Sequence, residues 1–167
     1  LAEHAGIQPE VVDFALDPEF RLTRPPESRG EPVRVLFFAR PSLRRRGYEL
    51  GLEALSQVKE AHPEVDIAFF GSSSEELGSV PFEFRNFGVL DAAGVADAMN
   101  SSHILVCFSL TNISNVPFEG MACGCAVVDL DIPNVSTMVE AGRNCLLAAP
   151  EPAALASAVV SLVEDRA

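Results

Sequence analysis

The sequence predicts an α/β fold in which helices cover both faces of a doubly wound, mainly parallel sheet of six strands. Short continuous apolar runs alternate along the chain with segments of helical periodicity. Continuous apolar strands are typical of a sheet that is covered on both faces, and alternation with helices is typical of parallel connections. With 167 residues, 48 % of them hydrophobic, the chain is long enough to bury one core of this kind.

The six strands are predicted from their apolar composition and from the residues that bound them. The first lies between Pro32 and Arg40, the second ends at Gly71, and the third is shorter and more polar. The fourth begins at His103. In chain order the predicted strands are residues 33–39, 65–70, 84–89, 103–108, 125–130 and 144–148.

Five helices are predicted between and after these strands. The first places Leu55 and Val58 on one apolar face, and the second begins at an N-cap, Asp91. The third is a short helix that carries Pro117 in its first turn and stops at Gly124. The first, second, fourth and fifth predicted helices are residues 47–61, 91–100, 133–141 and 152–164. Residues 72–81 are predicted to form a loop.

The first 31 residues do not share this alternation. They include four prolines, with a fifth at Pro32, and they are interpreted as an interdomain linker or N-terminal extension; residues 32–167 form the predicted globular domain. The chain begins with Leu and without a basic-then-apolar leader, so we expect a piece of a longer protein.

Charge and cysteine content narrow the function classes. A net charge of −12 and a pI near 4.5 disfavour nucleic-acid binding and attraction to an anionic membrane. No apolar run approaches the roughly 20 residues of a membrane span. The cysteines lie in or beside apolar runs without C-x-x-C spacing, which predicts buried thiols, no zinc site and a cytoplasmic location.

The basic residues are concentrated near the first predicted strand. Eight of the twelve lie between Arg21 and Arg46. Ligands of parallel α/β sheets bind at the carboxyl ends of the strands, where loops 40–47, 71–74 and 109–115 would meet. A short helix bearing Glu119 follows the third of these loops, and helix N-termini favour anions. The sequence therefore predicts a site for a small anionic ligand; a solvated arginine loop and an ordinary N-terminal helix glutamate are the alternatives.

The run Glu-Gly-Met-Ala-Cys-Gly that begins at Glu119, together with residues 133–147, resembles retaining glycosyltransferases of the two-Rossmann-domain (GT-B) type, family four or group 1. The resemblance covers residues 31–165 and implies one half of a GT-B fold, a Rossmann-like domain that binds the nucleotide-sugar donor. It implies that Arg40 and Arg46 hold the donor diphosphate as catalytic cations and that Glu119 binds the ribose hydroxyls. The other donor-binding residues that it implies are Gly71, Val89, Thr111, Asn112, Ser114 and Asn115.

One family position differs in this chain. The family motif has a glutamate eight positions before Glu119, and Thr111 stands there, so the residue that would touch the donor sugar carries no charge. The run from Phe37 to Gly51 also resembles the rhamnosyltransferases of surface polysaccharides, which implies a dTDP-rhamnose donor. The Asp-Leu-Asp run at Asp129 matches the D-x-D of metal-dependent glycosyltransferases, but that motif belongs to a different fold, and we expect no metal or other cofactor.

The resemblance also implies partners and leaves alternatives. The glycan acceptor would bind mainly to an N-terminal domain of the same longer protein, and any peripheral membrane association would involve other regions. A nucleotide-sugar epimerase of the same fold and a non-catalytic nucleotide-binding module remain open. A dinucleotide-dependent oxidoreductase is disfavoured because no G-x-G-x-x-G follows the first strand.

Overall fold

The computed structural model describes residues 15–111 and 113–165. Its strands are β1 (Arg34–Phe38), β2 (Asp66–Phe70), β3 (Arg85–Asn86), β4 (Ile104–Val106), β5 (Ala126–Leu130) and β6 (Leu146–Ala148). They form one sheet in the order β3-β2-β1-β4-β5-β6, and every pairing is parallel. The strand order changes direction between β1 and β4, which is where ligands bind in doubly wound folds. The predicted Rossmann-like α/β fold is confirmed.

Six helices accompany the strands in the described part of the chain. They are α1 (Tyr48–Ala61), α2 (Ser74–Leu77), α3 (Ala92–Asn100), α4 (Val116–Ala122), α5 (Pro133–Ser136) and α6 (Pro152–Glu164). The Asp91 carboxylate accepts a hydrogen bond from the Gly94 amide at 2.9 Å, as the predicted N-cap requires. Among the described helices, none is long and apolar enough to cross a bilayer.

Several predicted elements differ from the structure, and β4 and β6 are shorter than predicted, with three residues each. The predicted loop 72–81 contains α2, because Ser73 and Glu76 form a reciprocal capping box at its start. Helix α5 ends at Ser136 instead of residue 141, and the Glu140 amide then donates to the side chain of Asn144 at 2.8 Å. Strand β3 has two residues instead of the predicted six.

The sheet separates two apolar layers. Helices α1 and α6 cover one face, where Phe37, Leu55 and Leu155 are buried. Helices α3 and α4 cover the other face, where Leu36, Met99 and Leu105 are buried. The four cysteines, Cys107, Cys123, Cys125 and Cys145, are free and buried, as predicted.

Residues 20–29, within the predicted linker, contact the edge of the sheet at which the strands begin. The guanidinium of Arg29 donates to the carbonyl oxygens of Cys123 at 2.6 Å, of Gly124 at 3.0 Å and of Ser102. The side chain of Asn100 accepts the Thr23 amide at 2.8 Å. These contacts attach the segment to the edge of the sheet that lies opposite the predicted site.

Candidate donor-binding site

Two arginines of the loop after β1 lie beside one aromatic ring. The Cζ atoms of Arg40 and Arg46 are each 5.9 Å from the ring centroid of Phe38, the last residue of β1. This distance is within the range of a cation–π contact. Arg46 is only 8 % exposed, whereas its neighbours Arg44 and Arg45 are exposed. Of the arginine cluster, the structure therefore brings Arg40 and Arg46 together.

Gly47 explains why the Arg46 turn is held against the sheet. Its φ of +56° is in the left-handed region, and a Cβ atom on it would lie 3.3 Å from Phe108. A glycine therefore permits both the turn and the close approach. The Leu110 amide donates to the Arg45 carbonyl at 3.0 Å, and Arg46 Nη1 donates to Ser109 Oγ at 3.5 Å. The loops after β1 and β4 are joined at these contacts.

The electrostatic setting of Arg46 favours an incoming anion. Burial lowers the pKa of Arg46, and the positive charges of Arg45 and Arg40 lower it further, while Asp129 opposes them. A partly desolvated cation among other cations attracts an anion more strongly than a solvated one, because water screens it less. The arginine remains protonated at physiological pH, since guanidinium groups lose their proton only at very high pH.

Gly71 and Val89 lie at the same edge of the sheet. Gly71 has a φ of +105°, and a Cβ atom there would lie 2.9 Å from Phe38 Cε2 and 3.0 Å from Arg40 Cδ. Its amide donates to the Gly88 carbonyl at 2.8 Å, which joins the loop after β2 to the residue before Val89. Val89 is 74 % exposed. The structure thus places both residues in one row with Arg40.

The loop between β4 and α4 holds most of the remaining predicted residues. Thr111 is exposed, and its carbonyl accepts a hydrogen bond from Asn134 Nδ2 at 2.6 Å. The hydroxyl of Ser114 is buried and makes no hydrogen bond to any described residue. Asn115 directly precedes α4. The predicted residue Asn112 lies outside the described residues.

Glu119 lies one turn into α4, on a helix that packs closely on the sheet. Its amide donates to the Asn115 carbonyl at 2.9 Å. A Cβ atom on the adjacent Gly120 would lie 2.3 Å from Leu105 Cδ2, so only a glycine allows this approach. The carboxyl group is half-buried; burial raises its pKa, and the negative charge of Asp17 adds to the effect.

One loop connects the two ends of the predicted site. Arg46 contacts Ser109, where that loop begins, and Glu119 lies one helical turn beyond Asn115, where it ends. Because β1 and β4 are parallel neighbours, the loop after β1 and the start of α4 both lie at the carboxyl edge of the sheet. An extended ligand at this edge can contact the arginines and the start of α4 together.

Phe38, Ser109 and Asp129 are site residues that the sequence analysis did not recognise. Phe38 follows the buried Phe37 at the end of an apolar run, and this position in the run was the available signal. Asp129 was noted only in the D-x-D run. In the structure Asp129 is fully buried within β5, whereas Asp131 is exposed beyond it. Among the described residues, no group of three or more His, Cys, Asp or Glu side chains is placed to hold a metal ion.

A groove of about 410 Å³ lies elsewhere, between residues 23–24 and α3. Phe87, Leu90 and Asp97 are among its lining residues, and none of the predicted site residues lines it. The groove is therefore separate from the row formed by Arg46, Arg40 and Gly71.

Two curated relatives resemble the chain in sequence. It is 37 % identical over 168 residues to the O-antigen biosynthesis protein RfbC of Myxococcus xanthus, which covers 99 % of this chain and 13 % of that protein. It is 31 % identical over 158 residues to phosphatidyl-myo-inositol mannosyltransferase of Mycobacterium leprae, covering 86 % of this chain and 41 % of that protein. The chain thus spans less than half of either relative.

Solved structures show the same fold. The C-terminal domain of LpcC, a glycosyl transferase group 1 family protein from Francisella tularensis, superposes with a TM-score of 0.72 at 17 % identity, over 87 % of this chain and 86 % of that one. HepE from Anabaena, in complex with UDP-glucose, superposes with a TM-score of 0.68 at 21 % identity, over 82 % of this chain and 40 % of that one. The family described as glycosyl transferases group 1 matches residues 32–165. Because this match spans most of the sequence, the chain belongs to the group 1 glycosyltransferase family.

Proposed function

We propose that this chain binds the nucleotide-sugar donor of a metal-independent, retaining glycosyltransferase that builds a surface polysaccharide. The observation that carries the proposal is the pair Arg40 and Arg46 on the Phe38 ring, at the carboxyl edge where such sheets bind ligands. The name of the Myxococcus relative, an O-antigen biosynthesis protein, and the UDP-glucose complex of HepE support the same assignment.

The two arginines would act on the leaving group. Breaking a sugar–phosphate bond leaves a nucleoside diphosphate, whose growing negative charge must be stabilised in the transition state. Guanidinium groups can bind phosphate oxygens in pairs and do so without a metal. In a retaining reaction of this type the leaving phosphate would itself accept the proton of the attacking hydroxyl, so the domain need not supply a separate base.

Glu119 would hold the nucleoside. A carboxylate can accept hydrogen bonds from both ribose hydroxyls, and the half-buried position of Glu119 would strengthen them. The raised pKa of this residue implies that the interaction weakens as the pH falls towards that pKa, because a protonated carboxyl group loses acceptor capacity.

We further propose rhamnose, from a dTDP donor, as the transferred sugar. Thr111 would meet the sugar with a hydroxyl or carbonyl group instead of the carboxylate of the family motif. The acceptor would bind mainly to an N-terminal domain of the same longer protein, and catalysis would take place between the two domains. Activated sugar nucleotides and free cysteines both fit a cytoplasmic location.

Binding measurements on variants test the site. Arg46→Ala and Glu119→Gln should each weaken binding of dTDP and UDP about 10- to 100-fold, as expected when one charged hydrogen bond of roughly 1.5–3 kcal/mol is lost. Arg46→Lys keeps the charge and should retain part of the affinity. Arg44→Ala, in the same turn but exposed, is the matched control and should bind like the parent chain. Titration calorimetry measures all four variants.

Equal affinity of the parent chain, Arg46→Ala and Glu119→Gln would show that the site is wrongly assigned. The complete protein then separates the reaction classes. A transferase consumes the nucleotide-sugar only when an acceptor glycan is present, whereas an epimerase converts it without an acceptor. A non-catalytic module binds it and changes nothing.

A further inference from the structure

Asp129 is a carboxylate inside the apolar core. It is 0 % exposed and lies on β5, and its neighbours along the strand, Val128 and Leu130, are also buried. Side chains alternate along a strand, so Asp129 faces the layer covered by α3 and α4. Burying an ionisable group destabilises a fold unless its partners compensate. A carboxylate at this position therefore calls for an explanation beyond packing.

The contacts of Asp129 lead directly to the proposed diphosphate site. Its Oδ1 atom accepts hydrogen bonds from the Ser109 amide at 3.0 Å and the Leu130 amide at 2.8 Å. The Ser109 hydroxyl accepts from Arg46 Nη1 at 3.5 Å. Asp129 thus holds Ser109, the third residue of the loop between β4 and α4, and Ser109 contacts the buried arginine.

The other carboxylate oxygen has no matching partners. Asp129 Oδ2 is buried and makes no hydrogen bond to any described residue. Three ionisable groups interact with the carboxyl group: Arg46 from the loop after β1, Cys107 directly after β4, and Cys145 before β6. Burial raises the pKa of both thiols, so they are neutral at physiological pH. Arg46 is the positive charge of this set.

We propose that Asp129 is a positioning residue of the diphosphate site: it holds Ser109 and Arg46, balances the Arg46 charge while the site is empty, and takes up a proton when the donor binds. The inference rests on the proposed function, because the diphosphate is the ligand of Arg46. The step is a protonation from solvent, in which the carboxylate becomes a carboxylic acid and no bond of the donor changes.

The proton uptake follows from charge balance. With the site empty, burial raises the pKa of Asp129 to about 6, although the hydrogen bonds from Leu130 and Ser109 and, more weakly, the charge of Arg46 favour its ionised form. A diphosphate that binds Arg46 adds negative charge on the other side of the guanidinium. Both effects of the anion, its own repulsion and its hold on Arg46, disfavour a second negative charge at Asp129. The carboxyl group therefore binds a proton more readily in the complex.

Calorimetry in buffers of different ionisation enthalpy measures this uptake directly. UDP-glucose and dTDP-rhamnose are suitable probes because their phosphate groups do not titrate between pH 5 and 8. If binding raises the pKa of Asp129 by one unit, this group takes up about half a proton at pH 6.5, and the affinity of the parent chain relative to that of Asp129→Asn rises about sixfold from pH 7.5 to pH 5.5. A purely structural role of Asp129 would produce neither effect.

Two variants isolate the residue. Asp129→Asn keeps an oxygen that can accept the Ser109 and Leu130 amides but cannot be protonated, so the half-proton uptake and the sixfold affinity change assigned to Asp129 should both be lost. Asp131→Asn makes the same change at an exposed position and should bind like the parent chain. Glu119 is present in all three proteins, so its own titration cancels in the comparison.

The outcomes separate this inference from the proposed function. If the parent chain binds a probe with an uptake below about 0.1 proton from pH 5.5 to pH 7.5, the inference is overturned and the donor site stands. The same holds if Asp129→Asn retains the uptake of the parent chain. If Asp129→Asn does not fold, the uptake measured in Glu119→Gln, which lacks the other titrating carboxyl group of the site, decides. If the parent chain binds neither probe at millimolar concentration, the proposed function fails, and this inference fails with it.

Discussion

Replacing Gly51 by alanine tests whether the contact between α1 and β1 is as close as the structure shows. Gly51 is buried in α1. A Cβ atom on it would lie 2.2 Å from Cζ of Phe37 and 2.8 Å from Cε1 and Cε2. The ring of Phe37 is fully buried, and its centroid lies 5.3 Å from that of Phe69 and 5.9 Å from that of Phe108. The ring therefore has no free space into which it can move.

The magnitude follows from two opposing effects. Alanine is a better helix former than glycine by about 1 kcal/mol, which alone would stabilise the variant. Adding a methyl group to a filled core costs about 1–3 kcal/mol, and the 2.2 Å approach puts Gly51→Ala at the upper end of that range. We expect a net loss of about 2 kcal/mol in the free energy of unfolding.

Urea denaturation followed by circular dichroism measures the change. Gly94→Ala is the matched control: it makes the same change within α3, where the nearest atoms, at 3.2 Å, belong to Asp91 and Leu90. Without the severe clash, this variant should be no less stable than the parent chain, with a gain of up to about 1 kcal/mol from helix propensity. In the background of Phe37→Leu, which removes the ring, Gly51→Ala should lose most of its cost. If Gly51→Ala is as stable as the parent chain, the close packing of α1 on β1 is refuted, and with it the placement of the Arg46 turn that precedes α1.

Two further substitutions test the core and the N-terminal segment. Because the pKa of Asp129 is raised from 3.8 to about 6, the parent chain should lose about 2.4 kcal/mol of unfolding free energy relative to Asp129→Asn as the pH rises from 4 to 7. Parallel urea stability curves for the two proteins would contradict this, and Asp131→Asn serves as control. Arg29→Lys replaces a guanidinium that donates to the carbonyls of Cys123 and Gly124 with an ammonium group that cannot reach both in the same geometry. We expect the free energy of unfolding to fall by about 1–3 kcal/mol and amide exchange in residues 20–28 to become faster. Unchanged exchange there would show that Arg29 does not hold the segment.

Much of the candidate site was predictable because it depends on the parallel strand order. Once β1, β2 and β4 were recognised as buried parallel strands, the loops after them had to meet at one edge. The positions of Arg40, Gly71 and the loop before Glu119 at this edge follow from that rule. The rule does not distinguish Arg44, Arg45 and Arg46, which are adjacent in sequence and alike in chemistry; the choice of Arg46 came from the family resemblance.

Local signals explain where element predictions succeeded and where they did not. Helix α6 has the predicted bounds, because Pro152 at its start and the apolar repeat along it are properties of that segment alone. Helix α2 was also signalled locally, by the spacing of Ser73 and Glu76, and was missed in a loop-like composition. The early end of α5 depends on the Asn144 side chain, which bonds the Glu140 amide from beyond the helix.

The sequence by itself determined the fold class, the edge of the sheet at which the loops meet and the family, because apolar periodicity, turn residues and a short motif are local in the chain. The tertiary structure alone decided that Arg46 is buried beside Phe38 while Arg44 is solvated, and that Asp129 is enclosed beneath Ser109. These features arise from contacts between residues far apart in sequence, 63 positions for Arg46 and Ser109 and 20 for Ser109 and Asp129. Burial and the charge balance that it creates are properties of such packing, and no single segment of the chain contains them.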